Sequence, residues 1–177
     1  MNRSTLTIVG ALLLSAIIIA GVYFFVVQKD TDEQGDVGVG YKEAPAFSLP
    51  DAKGSIVSLA EIEADIKIVN FWASWSPYSA DELKAFNRIQ SEYGGLVSVV
   101  ALSRDTHPED GKSFLIEKGI ENNITFVYDR DDAYYKKVDG FAVPETLFLN
   151  EKGEIVKHQH GPITYEEIRF QVEEMKK

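Results

Sequence analysis

Cysteine is absent from the 177 residues. Disulfide bridges, cysteine-based zinc or iron–sulfur sites, thiolate nucleophiles and the lipid-bearing cysteine of a lipoprotein are therefore excluded. Histidine is scarce, limited to His107, His158 and His160. Positive charge is also short: 18 Lys and Arg stand against 28 Asp and Glu, giving a formal net charge of −10, and every acidic residue lies beyond position 27. A surface of that sign repels phosphate backbones and anionic headgroups, which excludes nucleic acid as a partner and favours plain solubility. No internal repeat or low-complexity tract appears.

What the N-terminus has is an uncharged run. From Thr5 to Val27 there is no charged side chain, and 23 residues at the helical rise reach about 34 Å, more than the roughly 30 Å of a hydrocarbon core. We expect residues 5–27 to be one transmembrane helix that acts as a signal-anchor, with residues 1–4 a short cytoplasmic N-terminus. Arg3 before the run and Lys29 after it give the positive-inside rule little to work with, but the balance places the rest of the chain outside the cell membrane. A cleaved signal peptide is the competing reading. The apolar run is long for one, and Ala20-Gly21 is followed by more apolar residues rather than a polar start. Residues 28–43, polar and then glycine-rich, read as a flexible linker. The length from 44 to 177 suits one domain with its own core.

Within that domain, apolar strands alternate with helical patterns. Ala46–Leu49 and Ile56–Leu59 flank the turn chemistry of Pro50-Asp51-Ala52-Lys53-Gly54 and predict an antiparallel hairpin. Ile66–Phe71 reads as a buried strand, Leu83, Phe86, Ile89 or Gln90, and Tyr93 as one stripe of a helix stopped by Gly94-Gly95, and Val97–Leu102 as a strand covered on both faces. A helix is expected over Pro108–Lys118, a strand over Ile124–Tyr128 and a short helix over Asp132–Val138. The chain ends on a second hairpin, Thr146–Leu149 with Ile155–His158, and a helix begun by the capping box Thr164 and Glu167 and buried along Tyr165, Ile168, Val172 and Met175. Together these predict an α/β domain: a mixed central sheet with helices on both faces and an N-terminal β-hairpin extension.

The junction Trp72-Ala73-Ser74-Trp75-Ser76-Pro77-Tyr78-Ser79 lies where the first buried strand gives way to a helix. Ser76 suits an N-cap and Pro77 the first helical position, while Asp81 and Glu82 suit the positive end of the helix dipole. An exposed helix N-terminus after a strand is where α/β folds stabilise a negative charge on a reactive group. Both positions fitted for such a group, Ser76 and Ser79, hold hydroxyls.

Phe47-Ser48-Leu49-Pro50-Asp51, the run Val69–Ser79, Val143-Pro144-Glu145-Thr146-Leu147-Phe148-Leu149 and Gly153-Glu154-Ile155-Val156 together resemble membrane-anchored thioredoxin-fold proteins of the TlpA, ResA and DsbE type, within the redoxin or AhpC-TSA-like group. The resemblance covers about Ala44 to the C-terminus, and Pro-Glu-Thr is particularly similar to the DsbE-type reductases of cytochrome c maturation. It implies a thioredoxin fold and a tethered, extracytoplasmic thiol–disulfide oxidoreductase working through a Trp-Cys-x-x-Cys motif. Ser76 and Ser79 stand where that family has its two cysteines, so the motif is Ser76-Pro77-Tyr78-Ser79. Pro144 matches the family's cis-proline, which would lie against Ser76 and leave the Val143 backbone for an extended peptide. Glu82 matches an acidic residue that tunes thiol acidity, and Asn70 replaces the buried acid of cytoplasmic thioredoxins with a neutral group that needs hydrogen bonds.

Thiol–disulfide exchange proceeds through a mixed disulfide that an alcohol cannot form. A serine hydrolase would need a positioned base, and no motif links the histidines to Ser76 or Ser79. A peroxiredoxin would need its peroxidatic cysteine. Two functions stay open. One is a redox-inactive domain that binds extended extracytoplasmic polypeptides in a groove formed by Trp75, Pro77, Tyr78, Val143, Pro144 and Glu145, supported by Asn70 and Glu82. The other is an active oxidoreductase whose CxxC has been substituted by SxxS in this chain. No cofactor is expected. His158 and His160 point to one face of a strand and could share a metal ion, but the sequence offers no third ligand, so a solvated face is expected and no metal centre is assigned.

Overall fold

The computed structural model describes residues 42–120 and 123–177. The anchor expected over 5–27 and most of the linker lie outside the described residues, among which no helix is long and apolar enough to cross a membrane. A small antiparallel pair comes first, β1 (Ser48–Pro50) with β2 (Ile56–Ser58). The Asp51 carboxylate closes their turn by accepting from the Lys53 and Ser55 amides at 2.7 and 2.8 Å. The main sheet then takes β3 (Ile66–Trp72), β4 (Val97–Ser103), β5 (Thr125–Tyr128), β6 (Glu145–Leu149) and β7 (Ile155–His160). Its order is β5-β4-β3-β6-β7, with β3, β4 and β5 parallel and β6 and β7 antiparallel to their neighbours. The helices are α1 (Ser79–Tyr93), α2 (Pro108–Glu117), α3 (Ala133–Lys137) and α4 (Tyr165–Met175). The mixed sheet and its hairpin extension agree with the sequence reading.

β3 is central because both its faces are apolar. Ile66, Ile68 and Trp72 pack with Leu83, Phe86 and Ile89 of α1 and with Ile168 and Val172 of α4. Val69 and Phe71 point the other way, towards Tyr134 and Tyr135 of α3 and towards Phe47 and Leu59 of the N-terminal segment. Strand alternation thus builds two cores from one strand. Phe71 stacks on Tyr134 at 5.8 Å and meets Tyr135 edge-on at 5.2 Å, which fixes α3 against the sheet. The capping box of α4 is present: Thr164 accepts from the Glu167 amide while the Glu167 carboxylate accepts from the Thr164 amide.

Tyr135 ties this second core to the site described next. Its hydroxyl donates to the Ala142 carbonyl at 2.7 Å, and its ring leaves no room at Gly140, where a Cβ would lie 2.3 Å from ring carbon Cε2. Gly140→Ala must displace the ring, and we expect a loss of about 1–3 kcal/mol, the usual range for overpacking. Gly95→Ala, whose Cβ would meet nothing within 4 Å, should be neutral within about 0.5 kcal/mol. Urea denaturation of the two variants checks both expectations.

Candidate functional site

β3 ends at Trp72, and the chain turns through Ala73 to Tyr78 before α1 begins at Ser79. The helix therefore starts two residues later than a Ser76 cap implies. Tyr78 occupies the cap position without a side-chain bond. Ser76 is free for another partner, and its hydroxyl donates to the Val143 carbonyl at 3.3 Å. The Ser79 hydroxyl faces backwards and accepts from the Ala73 amide at 3.3 Å. Ser76 and Ser79 are 3% and 0% exposed. Both hydroxyls are engaged in packing the turn, and neither contacts a histidine that could serve as its base.

The Val143–Pro144 peptide bond is cis, and the Ser76 contact sets this loop against the start of α1. Around the two buried serines the surface is apolar and aromatic. Trp75 and Tyr78 are 65% and 55% exposed, Pro77 is exposed and Val143 half-buried. Phe141, on the same loop as Val143, is 75% exposed. Sequence reasoning missed this residue, although an aromatic two positions before Val143 was visible. Beside them a cleft of about 450 Å³ runs between Tyr78, Asp81 and Ala85 of the α1 region and Pro162 to Tyr165, with Glu82 in its lining.

Two buried acids hold this turn, and only one was visible in advance. Asp105, just beyond β4, accepts from the Ser74 amide and hydroxyl at 3.1 and 2.8 Å and from the Ser103 hydroxyl at 2.9 Å. Its loop position offered no sequence signal, since the pairing of β3 with β4 is what brings it under Ser74. Glu82, on the first turn of α1, is 3% exposed. One carboxyl oxygen accepts from Asn70 Nδ2 at 2.9 Å and the other from the Ile163 amide at 3.0 Å. Asn70 also donates to Thr146 Oγ1 at 3.1 Å, while its Oδ1 is buried without a partner.

Burial pushes the Glu82 carboxyl up to about 8, against the opposing pull of the Asn70 and Ile163 hydrogen bonds. Desolvation wins because two donors do not replace a full hydration shell. At neutral pH Glu82 is mostly a neutral acid, so of the two acidic residues in the first turn it is the exposed Asp81 that meets the helix dipole as a charge.

The pair β6–β7 places a third group next to the loop. Glu145 is 0% exposed, with one carboxylate oxygen accepting from the Phe141 and Ala142 amides at 3.1 Å each. Its other oxygen lies 2.5 Å from His160 Nδ1 and 2.6 Å from His158 Nε2. The Glu145 side chain faces this interior cluster and offers no groove surface. The solvated strand face expected for the histidines is only half present: His160 is partly exposed and His158 largely covered. Desolvation pushes the His158 imidazole down, outweighing the nearby Glu145 charge.

A parallel β3–β4–β5 unit joined to an antiparallel β6–β7 pair, with a turn before α1 facing a cis-proline loop, defines a thioredoxin fold. A thiol-disulfide oxidoreductase from Bacteroides fragilis superposes with a TM-score of 0.66 at 24% identity, over 76% of this chain and 99% of that one. The chain belongs to the AhpC/TSA family, whose model matches residues 41–158, and within it to the TlpA/ResA/DsbE type of thioredoxin-like protein. It is 33% identical over 126 residues to the thiol:disulfide interchange protein DsbE of Allochromatium vinosum, covering 69% of this chain and 67% of that protein. To the sporulation thiol-disulfide oxidoreductase A of Bacillus subtilis it is 30% identical over 134 residues, 72% of this chain and 78% of the relative.

The displaced titration of Glu82 has a definite sign. Below about pH 4.5 the group is protonated whether folded or unfolded; between there and about 8 only the unfolded chain releases the proton, so stability falls as pH rises through this window. The full loss is on the order of 5 kcal/mol. Urea midpoints should show the difference between the unaltered chain and Glu82→Gln, which cannot ionise, shifting in favour of the variant between pH 5 and 8. Parallel profiles for the two would contradict the assignment.

Proposed function

We propose that this chain is a membrane-tethered, extracytoplasmic thioredoxin-fold domain that binds extended polypeptides and does not itself exchange disulfides. The observation that carries this reading is the pairing at the site. Ser76 is buried against the Val143 carbonyl in the place of a redox cysteine, while its neighbours in the chain Trp75 and Tyr78 stand exposed and Phe141 is exposed on the Val143 loop. The 3.3 Å bond between Ser76 and Val143 is long, and a peptide amide could take over the carbonyl in the manner of an added β-strand. Exposed aromatic rings then supply the apolar contacts that such a peptide needs. The uncharged run Thr5–Val27 supports the tether, and the placement outside the cell follows from the same segment.

The alternative, an active thiol–disulfide oxidoreductase whose CxxC has been substituted by SxxS in this chain, is favoured by Glu82. A buried carboxyl raised to about 8 is a costly feature, and it is suited to taking and returning a proton beside a thiol. Cysteine codons at positions 76 and 79 of the native gene would decide for this alternative, and serine codons for the binding domain.

Titration of the full chain in detergent with an extended, uncharged peptide should change the fluorescence of Trp75, which is 65% exposed, in a saturable manner. Val143→Asp should weaken this binding at least tenfold, because it sets a desolvated charge in the groove. A response unaffected by Val143→Asp, or equal in Trp75→Phe, would remove the proposed site.

A further inference from the structure

The cluster of Glu145, His158 and His160 has no part in the groove and asks for its own account. The β6–β7 register sets Glu145 opposite His160 and Leu147 opposite His158. Paired residues and their i+2 neighbours share one face of a sheet, so all three polar side chains converge at its edge. Three potential ligand atoms come within 4.8 Å of one another.

Ordinary hydrogen bonding accounts poorly for what is found there. One carboxylate oxygen of Glu145 meets both imidazoles, at 2.5 and 2.6 Å. Only the His160 contact has hydrogen-bond geometry; His158 Nε2 is buried without a hydrogen-bond partner despite its 2.6 Å approach. The two rings lie 4.1 Å apart, so two imidazolium cations would repel at close range. A single cation between the nitrogens and the oxygen would satisfy all three lone pairs at once.

We propose that Glu145, His158 and His160 form a three-ligand site for a first-row divalent cation, with zinc the best match to two imidazole nitrogens and one carboxylate oxygen. Magnesium and calcium prefer all-oxygen shells and fit this donor set badly. Zinc bonds of about 2.0–2.1 Å in tetrahedral geometry hold their ligand atoms roughly 3.3 Å apart, so the Glu145 oxygen, now 2.5 and 2.6 Å from the two imidazole nitrogens, needs to part from each by less than about 1 Å. The surroundings already orient them. The second Glu145 oxygen is fixed by the Phe141 and Ala142 amides, and the Phe141 ring stacks on His160 at 4.2 Å. Such outer contacts are what hold metal ligands in register. A cleft of about 340 Å³, lined by His158 and His160 together with Lys137, Asp139 and Phe141, leaves room for water or another ligand to complete the coordination.

The test uses the untagged full chain in detergent, stripped with a chelator and titrated with Zn²⁺ in competition with a chromophoric chelator. We expect one Zn²⁺ per chain. Glu145→Gln, His158→Ala and His160→Ala should each weaken binding at least tenfold, whereas His107→Ala should leave it unchanged. Absence of stoichiometric binding, or equal affinity in the double variant His158→Ala with His160→Ala, would overturn the proposal. Should those variants fail to fold, carbethoxylation of the unaltered chain read by mass spectrometry decides instead. Protection of His158 and His160 but not His107 by Zn²⁺ upholds the site, and equal modification with and without Zn²⁺ rejects it.

Discussion

Glu82 enters the interior on the first turn of α1, and its carboxyl oxygens accept from Asn70 of β3 at 2.9 Å and from the Ile163 amide ahead of α4 at 3.0 Å. Through these two bonds the central strand, the first helix and the approach to the last helix meet at one group. Hydrogen bonds to a charged group contribute about 1.5–3 kcal/mol each, while taking a carboxylate out of water costs several. The balance falls on the side of the neutral acid, as the rise to about 8 records. The group that fixes the position of α1 is therefore also a carboxyl that holds its proton near neutral pH.

That arrangement is out of proportion to what two serines need. Ser76 and Ser79 need only hydroxyl-sized space and one hydrogen bond each, which Val143 and Ala73 give them. Asp105 clamps Ser74, Tyr135 anchors the loop at Ala142, and the Ser76 bond sets Val143 across the turn. The fold and the cis Val143–Pro144 loop are those of the thiol–disulfide oxidoreductase family, and the chain contains no cysteine. The exposed rings of Trp75, Tyr78 and Phe141 are the surface that the proposed polypeptide binding would use.

Much of this could be read from the chain. Alternation in β3 and the stripe Leu83, Phe86 and Ile89 gave the layers directly, because burial follows periodicity. The capping box at Thr164 and the turn at Asp51 were legible because each is local chemistry within four residues. The start of α1 was misread: Ser76 has the right side chain for a cap, but a contact 67 residues away in sequence, with Val143, takes its hydroxyl. Asp105 and the raised Glu82 depend on strand pairing and enclosure, which no local pattern encodes. Glu145 was taken for groove surface through its neighbour Pro144. The register that sets it beside His158 and His160 depends on a bulge after the turn, where the pairing shifts by one residue between Leu149–Ile155 and Phe148–Lys157, and no local pattern announces that shift.

We propose that the site would exchange disulfides if thiols stood at positions 76 and 79. Restoring them by Ser76→Cys with Ser79→Cys and following reduction of a protein disulfide tests it most directly. We expect no turnover by the unaltered chain and clear catalytic reduction by the double variant. Reduction by the unaltered chain, or an inert double variant whose introduced pair nonetheless forms its disulfide, would contradict it.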